Sequence, residues 1–221
     1  MTRDAYHREL KSLEIEFLEM GAMVAQAVND SVEALKVRDL ETARKIIKND
    51  LRINQKRADL EEKCLLLIAK QQPMAGDLRR IAAILFIITD LERIGDHAEG
   101  IAKITVMLGD KSLVKPLIDI PRMAEKGLSM LERSLIAFTH RDAEAARVIC
   151  NDDDEVDALH DQIYRDLLLL MIDNPQTIEG CTYLTWVTHN LERIADRVTN
   201  IAERIVFMVT GKREEINVSK Y

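Results

Sequence analysis

The sequence predicts an all-α protein made of two tandem antiparallel three-helix bundles, with six long helices related by an internal duplication. Three observations predict this fold. Only 8 glycines and 4 prolines interrupt the 221 residues, apolar residues recur at the spacing of a helix face, and one stretch of sequence occurs twice. Short connections between long helices favour antiparallel neighbours.

The first bundle, residues 1–110, is predicted to contain three helices. An apolar stripe begins at Gly21 and steps by four and three residues to Leu35, so the first helix buries one face. An aspartate opens each of the next two helices as an N-cap, and Pro73 ends the second. The predicted bounds are about Asp4–Lys36, Asp39–Gln72 and Asp77–Gly109.

The second bundle, residues 111–221, repeats this arrangement after a linker over residues 110–117. An apolar stripe from Ala124 to Phe138 has the same steps as the stripe of the first helix. The fourth helix is predicted to end near His140, the fifth to run from Asp142 to just before Pro175, and the sixth to end at Gly211. We expect residues 212–221 to fray.

The duplication is clearest in one block of the third and sixth helices. Residues 90–102 read DLERIGDHAEGIA and residues 190–202 read NLERIADRVTNIA, with seven of thirteen positions identical. The pairs Gln72-Pro73 and Asn174-Pro175 also correspond. A single six-helix bundle with a chance repeat is the alternative.

Each block places two carboxylates on one helix face. Glu92 and Asp96 lie four residues apart, as do Glu192 and Asp196. Like charges at this spacing destabilise a helix slightly, so their recurrence in both halves needs a reason.

The preceding helix of each half carries a second pair of oxygen ligands. Asp50 and Asn54 in the first half correspond to Asp153 and Asp157 in the second, at an offset of 103 residues. If the two helices are antiparallel neighbours, the pairs meet, and such ligands suit Mg²⁺, Ca²⁺, Mn²⁺ or oxidised iron. The sequence therefore predicts a metal site in each half.

A solvated face is the alternative interpretation of these acids. Arg93 and Arg193 lie beside the glutamates, and Lys103 is placed to pair with Glu99. A ferritin-like di-iron site is less compatible with the sequence, because it needs Glu-x-x-His pairs that this chain lacks.

Composition excludes several classes of protein. Lys+Arg 31 against Asp+Glu 38 gives a net charge of −7, which argues against a nucleic-acid binder. Three widely spaced cysteines indicate a reducing compartment and are expected to be buried apolar residues. With no apolar stretch long enough for a secretory signal or a membrane span, we expect a cytoplasmic protein.

Motifs of catalysis are also missing from the sequence. It contains neither a glycine-rich phosphate loop nor a nucleophile elbow, so we expect no enzyme activity. Trp186 lies in the apolar part of the sixth helix and is expected to anchor packing.

The two LERI-Gly/Ala-Asp blocks and the Gln72-Pro73 break followed by Asp77-Leu78-Arg79 resemble the PhoU family of phosphate-specific transport system accessory proteins. The resemblance covers nearly the whole chain. It implies tandem three-helix bundles, often dimeric, that act in phosphate homeostasis between a phosphate ABC transporter and a sensor histidine kinase. It also implies negative regulation of the phosphate-starvation response and restraint of phosphate uptake.

The resemblance further implies partners and a cofactor. The partners would be the ATPase subunit of the transporter, the kinase and a second copy of the chain. The metal, with iron, Mg, Ca and Zn not distinguished, would fall on the acidic pairs, and Asn54 makes the first site less acidic than the second. A carboxylate-bridged iron bundle with an oxidase or storage role and a purely structural bundle that oligomerises remain the alternatives.

Overall fold

A computed structural model describes residues 3–216 of the chain. Within that range the protein has six long α-helices and no strand, so the predicted all-α class is confirmed. The helices are α1 Arg3–Val37, α2 Leu40–Gln71, α3 Ala75–Leu108, α4 Asp119–His140, α5 Ala143–Asp173 and α6 Ile178–Thr210, with a 3₁₀ turn at Pro175–Thr177 between α5 and α6.

Two predicted aspartate caps open their helices as expected. The Oδ1 atom of Asp39 accepts a hydrogen bond of 2.9 Å from the backbone N–H of Thr42. In the second half, Oδ1 of Asp142 accepts from the N–H of Ala145 at the same distance. Each cap satisfies one of the N–H groups that the first helical turn leaves without an intrahelical partner.

The predicted cap of α3 was wrong. This helix starts at Ala75, after an extended Met74 that makes no side-chain cap, and Asp77 lies inside the first turn. Its carboxylate there interacts favourably with the positive end of the helix dipole instead of closing the helix end. Pro73 comes just before the new start, so the second helix still ends where the sequence predicted.

The two halves fold alike at the level of single residues. Ser31 in α1 and Ser134 in α4 are both fully buried. Each hydroxyl donates to a carbonyl of its own helix, to Val28 at 2.8 Å and to Met130 at 2.9 Å. These two serines occupy equivalent positions 103 residues apart, as the duplication predicts.

The bundles meet along α1–α4 and α3–α6. The rings of Phe17 and Phe138 pack at 4.6 Å between centroids, and Gly21 admits Leu135, whose Cδ1 would lie only 2.6 Å from an added Cβ. One hydrophobic cluster extends through both bundles.

The α3–α6 contact is antiparallel and nearly symmetric. Asp90 on α3 lies 3.5 Å from Arg197 on α6, and Nδ1 of His97 lies 3.0 Å from Oδ1 of Asn190. The first residue of each block, Asp90 or Asn190, therefore contacts the eighth residue of the other block. The two bundles are therefore related by an approximate two-fold axis. Because the acids occupy matching positions in both halves, each bundle has one acidic face.

Two expectations about packing were wrong. Trp186 is 47% exposed and packs edge-on against Tyr183 at the surface, because its position on α6 faces away from the core. The tail is held rather than frayed over residues 212–216, since Arg147 binds both oxygens of Glu214 at 2.9 Å. The rest of the tail, residues 217–221, lies outside the described residues. The three cysteines are buried as expected.

Candidate metal centres on the two acidic faces

The first acidic face forms where α2 packs on α3. Asp50 is only 8% exposed, and its pKa is raised by burial and by the charges of Glu99, Asp96 and Glu92 on α3. The amide of Asn54 donates to Oδ2 of Asp50 at 2.8 Å. The structure thus brings the four predicted residues of the first half together and adds Glu99.

The second acidic face forms where α5 packs on α6. Asp153 is 3% exposed, and burial raises its pKa to about 7, helped by the charges of Asp157, Asp196 and Glu192. Burial also raises the pKa of Asp157 and of Glu192, with Asp196 the next cause for both. All four predicted residues of the second half lie together here.

Arginines border both faces, as expected if the acids form solvated helix faces. Nη1 of Arg93 lies 2.9 Å from Oδ2 of Asp96, and Nη1 of Arg193 lies 3.0 Å from Oδ2 of Asp196. Both arginine side chains are about half exposed, at 54% and 49%. Each arginine also lies near the glutamate of its block, at 3.4 Å from Glu92 and at 3.9 Å from Glu192. The arginines therefore offset part of the negative charge at the outer edge of each face, although exposed ion pairs of this kind contribute little to stability.

Two further side chains contact the acids. Nζ of Lys103 lies 2.6 Å from Glu99 on α3, and Nδ1 of His189 lies 3.4 Å from Oε2 of Glu192 on α6. Both neighbours are on the same helix as the acid that they approach, and His160 on α5 lies close enough for its charge to act on Glu192 and Asp157.

The donor chemistry of both faces fits a hard cation. Three buried oxygens accept no hydrogen bond from any residue within 3–216: Oδ1 of Asp50, Oδ1 of Asn54 and Oε2 of Glu192. Unsatisfied buried acceptors are costly, and a cation would satisfy them. Within the same range, however, no three Asp, Glu, His or Cys side chains are arranged to hold an ion as they stand. Binding would therefore require side chains to rotate.

Sequence reasoning missed a groove beside the first acidic face, between α1 and α2, with Asp50 and Glu99 in its lining. The signal in the sequence was the glycine at position 95, where the second block has Ala195. A glycine inside a helix often marks a close approach of another group.

The fold and these two faces define a protein class: a tandem repeat of three-helix bundles with one acidic face in each repeat. The model of the PhoU domain matches residues 17–105 and 120–205, one match in each bundle. The chain belongs to the PhoU family.

Two relatives of the chain have the same name. The "Phosphate-specific transport system accessory protein PhoU homolog" of Clostridium acetobutylicum is 38% identical over 98% of this chain and 100% of its own. The protein of that name from Rhizobium meliloti is 38% identical over 96% of this chain and 90% of its own.

Solved structures agree with this assignment. The crystal structure of the phosphate transport system regulatory protein PhoU from Streptococcus pneumoniae superposes with a TM-score of 0.89 at 34% identity, over 95% of this chain and 99% of that one. The structure of PhoU from Pseudomonas aeruginosa has the same TM-score at 32% identity, over 94% and 100% of the two chains. Between residues 3 and 216, none of the helices has a stretch both long and apolar enough to cross a membrane.

Proposed function

We propose that this protein is an accessory and regulatory protein of a phosphate-specific transport system. It acts in the cytoplasm as a homodimer, restrains phosphate uptake and keeps the phosphate-starvation response off. Its partners are the ATPase subunit of the transporter and the sensor histidine kinase of the response. The observation that carries the proposal is similarity over nearly the full length of both chains to accessory proteins of that name.

The architecture suits an adaptor better than a catalyst. Long helices packed on one shared core present large, rigid faces to other proteins. A regulator changes its partner only if it binds two states of that partner with different affinity, and rigid faces can discriminate in this way. We assign no catalytic residue to the chain. The similarity also favours this role over the alternative of an iron oxidase or storage bundle.

Association can be measured with purified proteins. We expect the chain to bind the ATPase subunit and the cytoplasmic part of the kinase from the same organism, with an affinity that changes between high and low phosphate. An ATPase from an unrelated transporter and an unrelated kinase serve as controls. The proposal fails if neither cognate partner binds under any phosphate condition.

We also propose that the acidic faces bind a metal ion through their carboxylate oxygens. Asp153, Asp157, Glu192 and Asp196 would hold it in the second bundle, and their buried, mutually repelling charges support this. In the first bundle, Asp50, Asn54, Glu92 and Asp96 would hold it less tightly, because the amide of Asn54 adds no charge. A bound ion would fix the orientation of the two helices and stabilise the folded state.

A double substitution tests the ligands of the second site. Glu192→Ala with Asp196→Ala is expected to lower the bound metal measured by elemental analysis while the helix content stays the same. The matched control is Glu144→Ala, which removes an exposed acid outside both faces. Unchanged metal content in the double variant would rule out these ligands.

A further inference from the structure

The groove between α1 and α2 in the first bundle has an apolar floor and an acidic border. Its volume is about 200 Å³, and four apolar side chains form its floor: Met23, Ala27, Ile46 and Ile53. Asp30, Asp50 and Glu99 supply its carboxylates, and Arg52 is its one basic residue. Lys103 pairs with Glu99 at 2.6 Å from outside the groove, so three negative and two positive charges leave a net charge of −1.

In the second bundle, two ion pairs join the helices at the equivalent positions. There, Lys126 on α4 pairs with Glu155 on α5, and Arg133 pairs with Asp152. Both pairs join the two helices across the position of the groove.

The first bundle has different residues in place of both ion pairs. At an offset of 103 residues, Met23 and Arg52 stand where the second bundle has Lys126 and Glu155. Asp30 and Asn49 likewise correspond to Arg133 and Asp152, with the acid now on the other helix. In the described part of the chain no ion pair joins α1 to α2 at these positions, and the pair between Lys56 and Glu16 lies elsewhere along the two helices.

Two of the groove's residues are smaller than their equivalents in the second bundle. Ala27 replaces Met130, and Gly95 replaces Ala195. A Cβ at position 95 would lie 3.2 Å from Cδ1 of Ile53 and 3.5 Å from Oδ1 of Asp50. That oxygen belongs to a side chain only 8% exposed, and it accepts no hydrogen bond from the described residues. The groove therefore ends beside an acceptor that lacks a donor.

We propose that this groove binds one basic side chain, arginine or lysine, of a partner protein. The alkyl stem would lie on the apolar floor, and the charged end would meet the carboxylates of Asp50 and Glu99, as such amphipathic side chains do elsewhere. An anion would be repelled by the net charge, and a metal ion bound on the first acidic face would compete with the basic side chain for Asp50. The inference deepens the proposed function and rests on it for the existence of a partner protein.

A small probe tests the groove without the partner, so its result does not depend on the transporter or the kinase. The chain, labelled with ¹⁵N and freed of metal, is titrated with Nα-acetyl-arginine N-methylamide and followed by NMR. We expect the amide signals of Asn49 and Gly95 to shift and saturate. The citrulline analogue, which has the same shape and no charge, should bind about fivefold more weakly, as expected for one partly exposed charge pair.

Two variants locate the binding. Gly95→Ala, which restores the residue of the second bundle, and Glu99→Gln, which removes one carboxylate, should each weaken binding of the arginine probe by about fivefold. The matched control is Glu41→Gln, which removes a 79%-exposed acid of the same bundle outside the groove and should leave the affinity unchanged. Circular dichroism checks that each variant folds.

Three results would overturn the proposal. The first is equal affinity for the arginine and citrulline probes, and the second is saturating shifts confined to residues outside the groove. The third is binding of the free diamine putrescine at least tenfold tighter than the arginine probe, because the occupant would then be a small molecule and not a protein side chain.

Discussion

At the scale of single residues, the main feature of this protein is one buried carboxylate in each bundle. Asp50 and Asp153 occupy equivalent positions on α2 and α5, and both are buried. Burial disfavours the charged form of an acid, and neighbouring acids add to the effect. Both side chains therefore have a raised pKa, and their free energy falls when a cation approaches.

The raised pKa of Asp153 predicts how stability depends on pH. Its pKa of about 7 in the folded chain exceeds the ordinary value of 3.8, so the folded state holds the proton more tightly than the unfolded state. Stability is thus lost as the pH rises from about 4 to 7, by at most about 4 kcal/mol. We expect Asp153→Asn to reduce this loss in urea unfolding of the metal-free protein at pH 5 and pH 8.

An exposed acid on the same helix provides the control. The side chain of Asp161 is 57% exposed, so Asp161→Asn should leave the pH dependence as it is. If Asp153→Asn keeps the full loss of stability between pH 5 and pH 8, the charge at position 153 does not limit the stability of the folded chain.

At the scale of a helix, the local sequence sets where each element begins. Asp39 and Asp142 make the same capping hydrogen bond at 2.9 Å, and both follow a residue with positive φ, Arg38 at 63° and Arg141 at 54°. This tight turn lets each second helix return directly along the first. The duplication therefore preserved the turn chemistry as well as the core.

Removing one cap should weaken α5. Asp142→Ala leaves the N–H of Ala145 without its side-chain acceptor, and we expect a loss of about 1 kcal/mol in the free energy of unfolding. Asp142→Ser keeps an acceptor and should lose only a small part of that. Equal losses in the two variants, measured by urea unfolding, would mean that the cap contributes nothing.

At the scale of the whole molecule, the two bundles share one hydrophobic core. A single hydrophobic cluster contains buried residues of all six helices. The division into residues 1–110 and 111–221 therefore describes the two repeats. That each repeat folds as an independent domain stays a prediction.

A shared core predicts one unfolding transition. Cys64 in the first bundle and Cys181 in the second are both fully buried, so their thiols react only when the surrounding structure opens. We expect both to be labelled with the same free energy of opening, because neither bundle can open without exposing the core of the other. Labelling of one cysteine at a clearly lower free energy would show that the bundles unfold separately.

Helix positions and the repeat could be predicted because they depend on local chemistry. The stripe from Gly21 to Leu35, the caps at Asp39 and Asp142 and the break at Pro73 each act within a few residues. The predicted cap at Asp77 was wrong because aspartate is common both at the N-cap and in the first turn of a helix. Only the backbone conformation distinguishes these two positions.

The sequence by itself determined that the chain is a doubled helical bundle with acids at matching positions in each half. Tertiary structure alone decided what those acids contact. Whether a carboxylate meets an arginine, a second acid or an open groove depends on how α2 and α5 pack on their neighbours, since residues far apart in the chain supply those surroundings. The groove beside Gly95 exists for the same reason: several small differences between the halves add up only when the helices are side by side.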